Sequence, residues 1–366
     1  MKNIHKLLAA ALTGTLIMSS IAGCTESSET EQSATDTQVT EETEETDTTD
    51  TTDTTQESTE ATIRPKREGH YTFQTHVHPS KLEEIMGPEA IQAYDNMIDA
   101  VLAGEDYFEV ADEETYGWVI GQFAYSCFPV IDDYIESGYA EGFSNGRGKI
   151  TYLIEKEELQ QKIADFEAEI TEILNENLED DYSDFEKALA LYIYMAHHYT
   201  YNYEMSDNRG DYLVSGYQTL TDKSGICQGL SILYSYLLLQ AGVDATVMSS
   251  YSEIYQDTHQ WSYVKINGNY YHIDPTFALD ADDSMNYFMM TDAKRTETGF
   301  NPEGGHVTIQ YGAGEHVELI ANDDTYAPLW TGFFIAIDHD NKKVIYLGDD
   351  ENFNSAQVEF DYSALE

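Results

Sequence analysis

Apolar positions recur at helical spacing in three stretches of the chain. From Gly87 to Glu105 and from Glu158 to Leu178 they fall every three or four residues. In the second stretch Leu159, Ile163, Phe166, Ile170 and Leu174 fall on one face, the stripe of an amphipathic helix. A third helix is predicted over 181–199, where Ser183 and Glu186 have capping-box spacing. Leu230 to Gln240 is apolar nearly all round, as a fully buried helix would be, and Ala241-Gly242 supplies its stop. Ser224-Gly225 reads as the turn and N-cap before it.

The period then changes to two. His259 to Ile266 alternates as a strand, Tyr270 to Ile273 follows as another, and Asn267-Gly268 lies between them. Asn-Gly flanked by apolar residues predicts a two-residue hairpin turn of type I′. That turn fixes a register in which Ile266 faces Asn269, Val264 faces Tyr271 and Trp261 faces Asp274. His259 shares the face of Trp261, so His259 and Asp274 become diagonal neighbours about 7 Å apart at the backbone. Gly148 to Ile154 is predicted as a strand, and a hairpin is predicted from Trp330 to Asp338 and Lys343 to Leu347.

The pattern divides the chain into five segments: 1–23, 24–63, 64–180, 181–300 and 301–366. The fold class expected is α+β, with helices packed on an antiparallel sheet, a mainly helical N-terminal region and a β-rich C-terminal segment. Residues 24–62 carry thirteen carboxylates, no base and almost no apolar side chain. Such a segment cannot bury enough surface to fold and reads as an extended, self-repelling tether. Before it, Lys2 and Lys6 precede an apolar run from Leu7 to Ile21, the form of a secretory signal. Its end, Ile21-Ala22-Gly23-Cys24, resembles a bacterial lipobox. That resemblance implies lipid on Cys24, anchorage to a membrane without spanning it, and a site of action outside the cytoplasm.

The formal net charge is −50, which argues against nucleic acid or an anionic membrane surface as a partner. No phosphate-binding glycine loop or dinucleotide fingerprint is present in the sequence. His76-Val77-His78 offers two metal ligands without a visible third, and Asp280-Ala281-Asp282-Asp283 lacks the glycine and closing glutamate of a calcium loop. No metal or cofactor is therefore assigned. Of the three cysteines, Cys127 lies in an aromatic stretch and reads as a buried free thiol.

Cys227 remains. It falls at the start of the buried helix, where free backbone N–H groups and the positive dipole end favour a thiolate and could hold an oxyanion. A nucleophilic thiol needs a base, and the base needs an orienting group; His259 and Asp274 are of the right types. Gly229 permits close backbone approach on the helix surface.

Ser224-Gly225-Ile226-Cys227-Gln228-Gly229, His259-Gln260-Trp261-Ser262-Tyr263-Val264 and Tyr270-Tyr271-His272-Ile273-Asp274-Pro275-Thr276 together resemble the bacterial transglutaminase-like superfamily, whose core is papain-like. Tyr199 to Tyr203 and Tyr287 to Asp292 extend the likeness, which covers about residues 181–295. Ser262 stands where asparagine is common. The resemblance implies Cys227 as nucleophile, His259 as base and Asp274 as orienter, with Tyr201 or Tyr203 near the oxyanion. It implies a peptide or protein amide as substrate, with water or an amine as acceptor. Members of the superfamily also include inactive binding modules, so a non-catalytic module for wall peptides or protein partners is the alternative.

Overall fold

The structure, a computed structural model, describes residues 70–136, 142–302, 306–307, 319–349 and 355–365. The expected signal segment, Cys24 and the acidic tether lie outside the described residues. Helix α1 (Ser80–Met86) ends where Gly87 takes φ 80°, and α2 (Pro88–Leu102) starts at once with proline in its first turn. It buries Tyr94, Met97, Ile98 and Val101. An irregular helix follows from Glu113 to Asp132, broken by a π turn over Val119–Phe123 and by Pro129. Tyr107–Glu109, Arg147–Lys149 and Phe143–Ser144 form a small antiparallel sheet beside it.

The strand predicted over 148–154 is shorter than its pattern suggested. It covers Arg147–Lys149, and Glu155 already caps the next helix, α3 (Lys156–Asn177). The apolar stripe of α3, Leu159 through Leu174, is buried throughout. In α4 (Asp184–His198) both halves of the Ser183–Glu186 capping box are made.

The chain then makes a short parallel bridge, β1 (Thr200–Tyr201) on β2 (Ser224–Gly225). Ser224-Gly225 is thus paired backbone and not the N-cap; Ile226 takes that position, without a side-chain cap. Helix α5 (Cys227–Gln240) begins at the cysteine itself and is buried along almost its whole length.

Next come β3 (Ala245–Ser252), β4 (Asp257–Ile266), β5 (Asn269–Ile273), the helix α6 (Asp292–Glu297) and β6 (His306–Val307). The four strands form an antiparallel sheet in the order β5-β4-β3-β6. The β4–β5 hairpin has the predicted register, Ile266 on Asn269 and Val264 on Tyr271, and Asn267 and Gly268 both have positive φ, as a type I′ turn requires. The two faces of β4 divide the core. Val264 and Ile266 join the main cluster with α5, while Trp261 and Tyr263 join a smaller one with Met248, Phe300 and Ala321. Ser235 of α5 donates to Ser262 of β4 at 2.8 Å inside the first layer.

The C-terminal segment is a three-stranded antiparallel sheet, β7 (Phe333–Asp338), β8 (Lys343–Asp349) and β9 (Ser355–Asp361). Trp330, expected in its first strand, lies instead in a 3₁₀ turn over Ala327–Thr331, where Pro328 favours the tighter backbone. Its indole N–H donates to the Phe288 carbonyl at 3.1 Å. The sheet is tied to α4 through Glu186, a fully buried carboxylate. Glu186 accepts from the Tyr362 hydroxyl, is paired with His339 at 2.7 Å and lies 3.5 Å from Lys342. No helix among the described residues is long and apolar enough to cross a membrane.

Candidate active site

Cys227 is the first residue of α5, so its thiol sits where the helix still has unpaired N–H groups. Only 9% of the residue is exposed. The helix can begin this close to its neighbour because position 229 is glycine. A Cβ there would lie 2.8 Å from the Ser215 carbonyl and closer still to the Thr219 hydroxyl.

His259, on β4, lies close enough to the Cys227 thiol for each to shift the other's protonation. Its Nε2 is 2.7 Å from Asp274 Oδ2, which leaves Nδ1 for the sulfur. Asp274 follows β5 directly and is fully buried. Its other oxygen accepts from the Thr276 backbone N–H at 3.1 Å. Hairpin register brings His259 to Asp274; the packing of α5 on the sheet brings Cys227 to His259. All three residues singled out in the sequence therefore meet.

The charges in this group are set by one another. Burial pushes the thiol up, but the hydrogen bond and charge of His259, a backbone N–H from Gln260 and the charge of Arg209 outweigh it, so its pKa lies below the ordinary thiol value. Burial opposes charge on His259 as well, yet the charge and hydrogen bond of Asp274, with help from Cys227, raise its pKa to about 9. Burial would raise Asp274, but His259 and Arg295 hold it below the usual carboxylate range. The arrangement favours thiolate and imidazolium side by side. In contrast, Cys127 is buried without such partners, and its thiol is pushed up to about 12. Both cysteines are free.

Three contributors escaped sequence reasoning. Arg295 of α6 is completely buried and donates from Nη1 to Asp274 Oδ2 at 2.8 Å, the oxygen that also meets His259. Its guanidinium lies over the Trp261 ring at 4.3 Å. Tyr125, from the irregular N-terminal helix, donates to Gln260 Oε1 at 3.4 Å. The third is a second buried relay: the Trp261 indole N–H donates to His272 Nδ1 at 2.9 Å, and His272 Nε2 donates to Asp292 Oδ1 at 2.8 Å. That pair of bonds requires a neutral His272 with its proton on Nε2, in keeping with burial, which lowers its pKa. Trp261, His272 and Asp292 lie in the segments that carried the resemblance, though it implied no role for them; Arg295 and Tyr125 carried no sequence signal.

Of the two tyrosines considered for the oxyanion, Tyr201 is partly buried and close enough to Cys227 to feel its charge. Tyr203 is 73% exposed, with its ring edge-on to Tyr201 at 5.0 Å. His76 pairs with Asp99 at 2.9 Å, and Asp283 pairs with His197 at 2.5 Å. Among the described residues no three His, Cys, Asp or Glu side chains converge as metal ligands.

No curated protein matches the chain. Among solved structures it is similar to a candidate cysteine protease from Cytophaga hutchinsonii, with 20% identity over 27% of this chain and 32% of that one and a TM-score of 0.22. It is similar to a TGase, with 18% identity over 48% of this chain and 46% of that one and a TM-score of 0.30. A candidate protease from Parabacteroides distasonis shares 10% identity over 37% of this chain and 38% of that one, with a TM-score of 0.23. The chain spans less than half the length of each of these proteins. Residues 169–275 match the model of the transglutaminase-like superfamily, so the part of this chain that holds Cys227, His259 and Asp274 is a transglutaminase-like domain.

Proposed function

We propose that the protein is a cysteine enzyme acting on amide bonds of a peptide or protein through a thioester. The observation that carries this reading is the order Cys227–His259–Asp274, with His259 hydrogen-bonded to Asp274 and coupled to a thiol at a helix start. His259 takes the thiol proton, and the thiolate attacks the carboxamide carbon. Asp274 orients the imidazole and stabilises its cationic form. The oxyanion of the tetrahedral intermediate is met by N–H groups at the start of α5, with Tyr201 the better placed of the two tyrosines. As the C–N bond breaks, His259 returns its proton to the leaving amine, and Cys227 keeps the acyl group as a thioester. Water then gives a carboxylic acid; an amine gives a new amide. Hydrolysis, which needs no second organic substrate, is the simpler outcome and the one we favour.

The test is the rate of Cys227 alkylation against pH, followed by mass spectrometry in the wild type and in His259→Ala. Fast modification with a midpoint well below about 8.5, lost in the variant, is expected. A slow thiol with an ordinary midpoint in a folded protein would sink the catalytic reading and leave a binding module of the same fold.

The second part of the proposal concerns location: the chain is held outside the cytoplasm by lipid on Cys24, with 25–62 as a spacer. Its support is the lipobox-like Ile21-Ala22-Gly23-Cys24 after a signal-like run. Labelled palmitate should enter the wild type and not Cys24→Ala, which should leave the membrane fraction. Equal labelling of both would dismiss the anchor.

A further inference from the structure

Two segments flank the thiol. The first, 202–214, is fastened on both sides of Cys227: the Asn202 N–H donates to the Gly225 carbonyl at 2.9 Å, and Gln228 Nε2 donates to the Val214 carbonyl at 3.1 Å. The second is the turn between β3 and β4. Ser250 pairs with His259, then Tyr251 with Thr258 and Ser252 with Asp257, so the turn starts two residue pairs beyond the base. It is braced by Tyr255, which stacks on Phe300 at 5.4 Å, and Phe300 in turn lies 4.8 Å from the His259 ring. Asp257 of the second acts electrostatically on Tyr201, which leads into the first.

These rims are unusually apolar for solvent-facing backbone. Among the described residues twelve large hydrophobic side chains are exposed, and six of them stand here: Tyr203, Tyr212 and Leu213 on one side, Tyr251, Ile254 and Tyr255 on the other. Half of the exposed large apolar side chains of the described residues thus fall on the two segments that flank one thiol, a concentration that marks a binding surface. Interleaved with them are five carboxylates, Glu204, Asp207, Asp211, Glu253 and Asp257, against the single guanidinium of Arg209. Arg209 already acts on the Cys227 thiolate. The rims therefore present apolar contact area in a negative field, on a chain whose overall charge reinforces it.

We infer that the surface formed by these two rims beside Cys227 takes a polypeptide segment in which basic side chains alternate with aromatic or aliphatic ones. The fate of that segment rests on the amide chemistry proposed above; its recognition does not. The apolar side chains would lie against the tyrosines and Ile254, and the lysines or arginines would face the rim carboxylates. Extended backbone suits such alternation, since successive side chains point to opposite sides.

The test uses the full chain carrying Cys227→Ser, which keeps the rims and removes the nucleophile. Three fluorescein-labelled peptides of equal length share a central glutamine. One alternates Lys with Leu and Tyr, one replaces Lys by Glu, and one replaces the apolar residues by Ser. Fluorescence anisotropy at low and high salt is expected to show the first binding at least about tenfold tighter than either other, a difference of roughly 1.4 kcal/mol. Tyr203→Ser with Ile254→Ser should bring it to the level of the serine peptide, and Glu253→Gln with Asp257→Asn should flatten its salt dependence. Equal binding of all three, or no binding while the wild-type thiol alkylates fast, would overturn the inference and spare the catalytic reading. An inert thiol with the peptide preference intact would do the reverse.

Discussion

Arg295 and His259 compete for one oxygen. Asp274 Oδ2 accepts from Arg295 Nη1 at 2.8 Å and meets His259 Nε2 at 2.7 Å, and all three residues are buried. The guanidinium helps hold the carboxylate ionised without its having to draw a full charge from the imidazole. Arg295→Met keeps the side-chain length and its packing on Trp261 but removes that charge. The imidazolium should then be held more tightly, so the alkaline limb of any pH profile moves upward. Loss of one partner of a buried ion pair should also cost about 3 kcal/mol or more in urea unfolding. A lower urea midpoint with an unmoved pH profile would show Arg295 to be structural alone.

Asp274→Asn should disable the base, and, by leaving Arg295 without its counter-ion, cost stability as well. The amide can still hydrogen-bond to the ring, but it supplies no charge to the imidazolium and can favour the wrong tautomer. A loss in kcat on the order of 10³ is expected, with KM little changed, once a substrate is in hand.

The pH dependence follows from two shifts of opposite direction. The thiolate forms below the ordinary thiol pKa, and His259 keeps its proton up to about pH 9. Acyl transfer needs both at once, since the leaving amine takes its proton from the imidazolium. Activity should therefore rise on the acid side with the thiol, hold across neutrality, and fall through about pH 9 as His259 loses its proton. Alkylation, which needs the thiolate alone, should not fall there. Stopped-flow alkylation and turnover, measured on one preparation over the same pH range, separate the two.

These groups were legible to different depths. Local chemistry carried the hairpin: Asn267-Gly268 sets the turn, the turn sets the register, and the register brings His259 to Asp274. It also carried the α4 capping box and the stripe on α3. It could not supply Arg295, twenty-one residues after Asp274 in a short polar helix that looks like surface. Nor could it supply Tyr125, which reaches Gln260 across 135 positions of sequence. The misread cap at Ser224-Gly225 has the same cause, because its pairing partner is Thr200-Tyr201 and no local pattern encodes a distant strand. Burial of polar side chains by tertiary contact leaves no periodic trace.

Gly229 offers a steric test of how tightly the thiol is placed. Gly229→Ala would add a methyl against the Ser215 carbonyl and Thr219 hydroxyl, and the backbone carbonyl cannot turn aside. The helix start must shift, at a cost of about 1–3 kcal/mol. Because Cys227 lies two residues away, thiol reactivity should drop with stability. An Ala variant with wild-type unfolding and alkylation would show that α5 has room to spare.

The C-terminal sheet should be held by a pH-dependent latch. His339 is paired with Glu186 and has its pKa raised; burial opposes this, but the hydrogen bond and charge of Glu186 and a bond to Asp181 prevail. A raised histidine stabilises the fold fully below its unfolded value near 6.5, and that contribution is lost as pH climbs through the folded value. Glu186 has a lowered pKa: burial would raise it, and Tyr362, the Ser183 N–H and His339 outweigh that. Its contribution is present above about pH 4.3 and lost as pH falls through the folded value. The latch is therefore strongest between these limits. His339→Gln should lower the urea midpoint most near pH 5.5 and less at alkaline pH, whereas Glu186→Ala, which strips a buried network of its centre, should cost about 3 kcal/mol across the neutral range. Equal effects of His339→Gln at both pH values would mean that the histidine acts through packing and not through its charge.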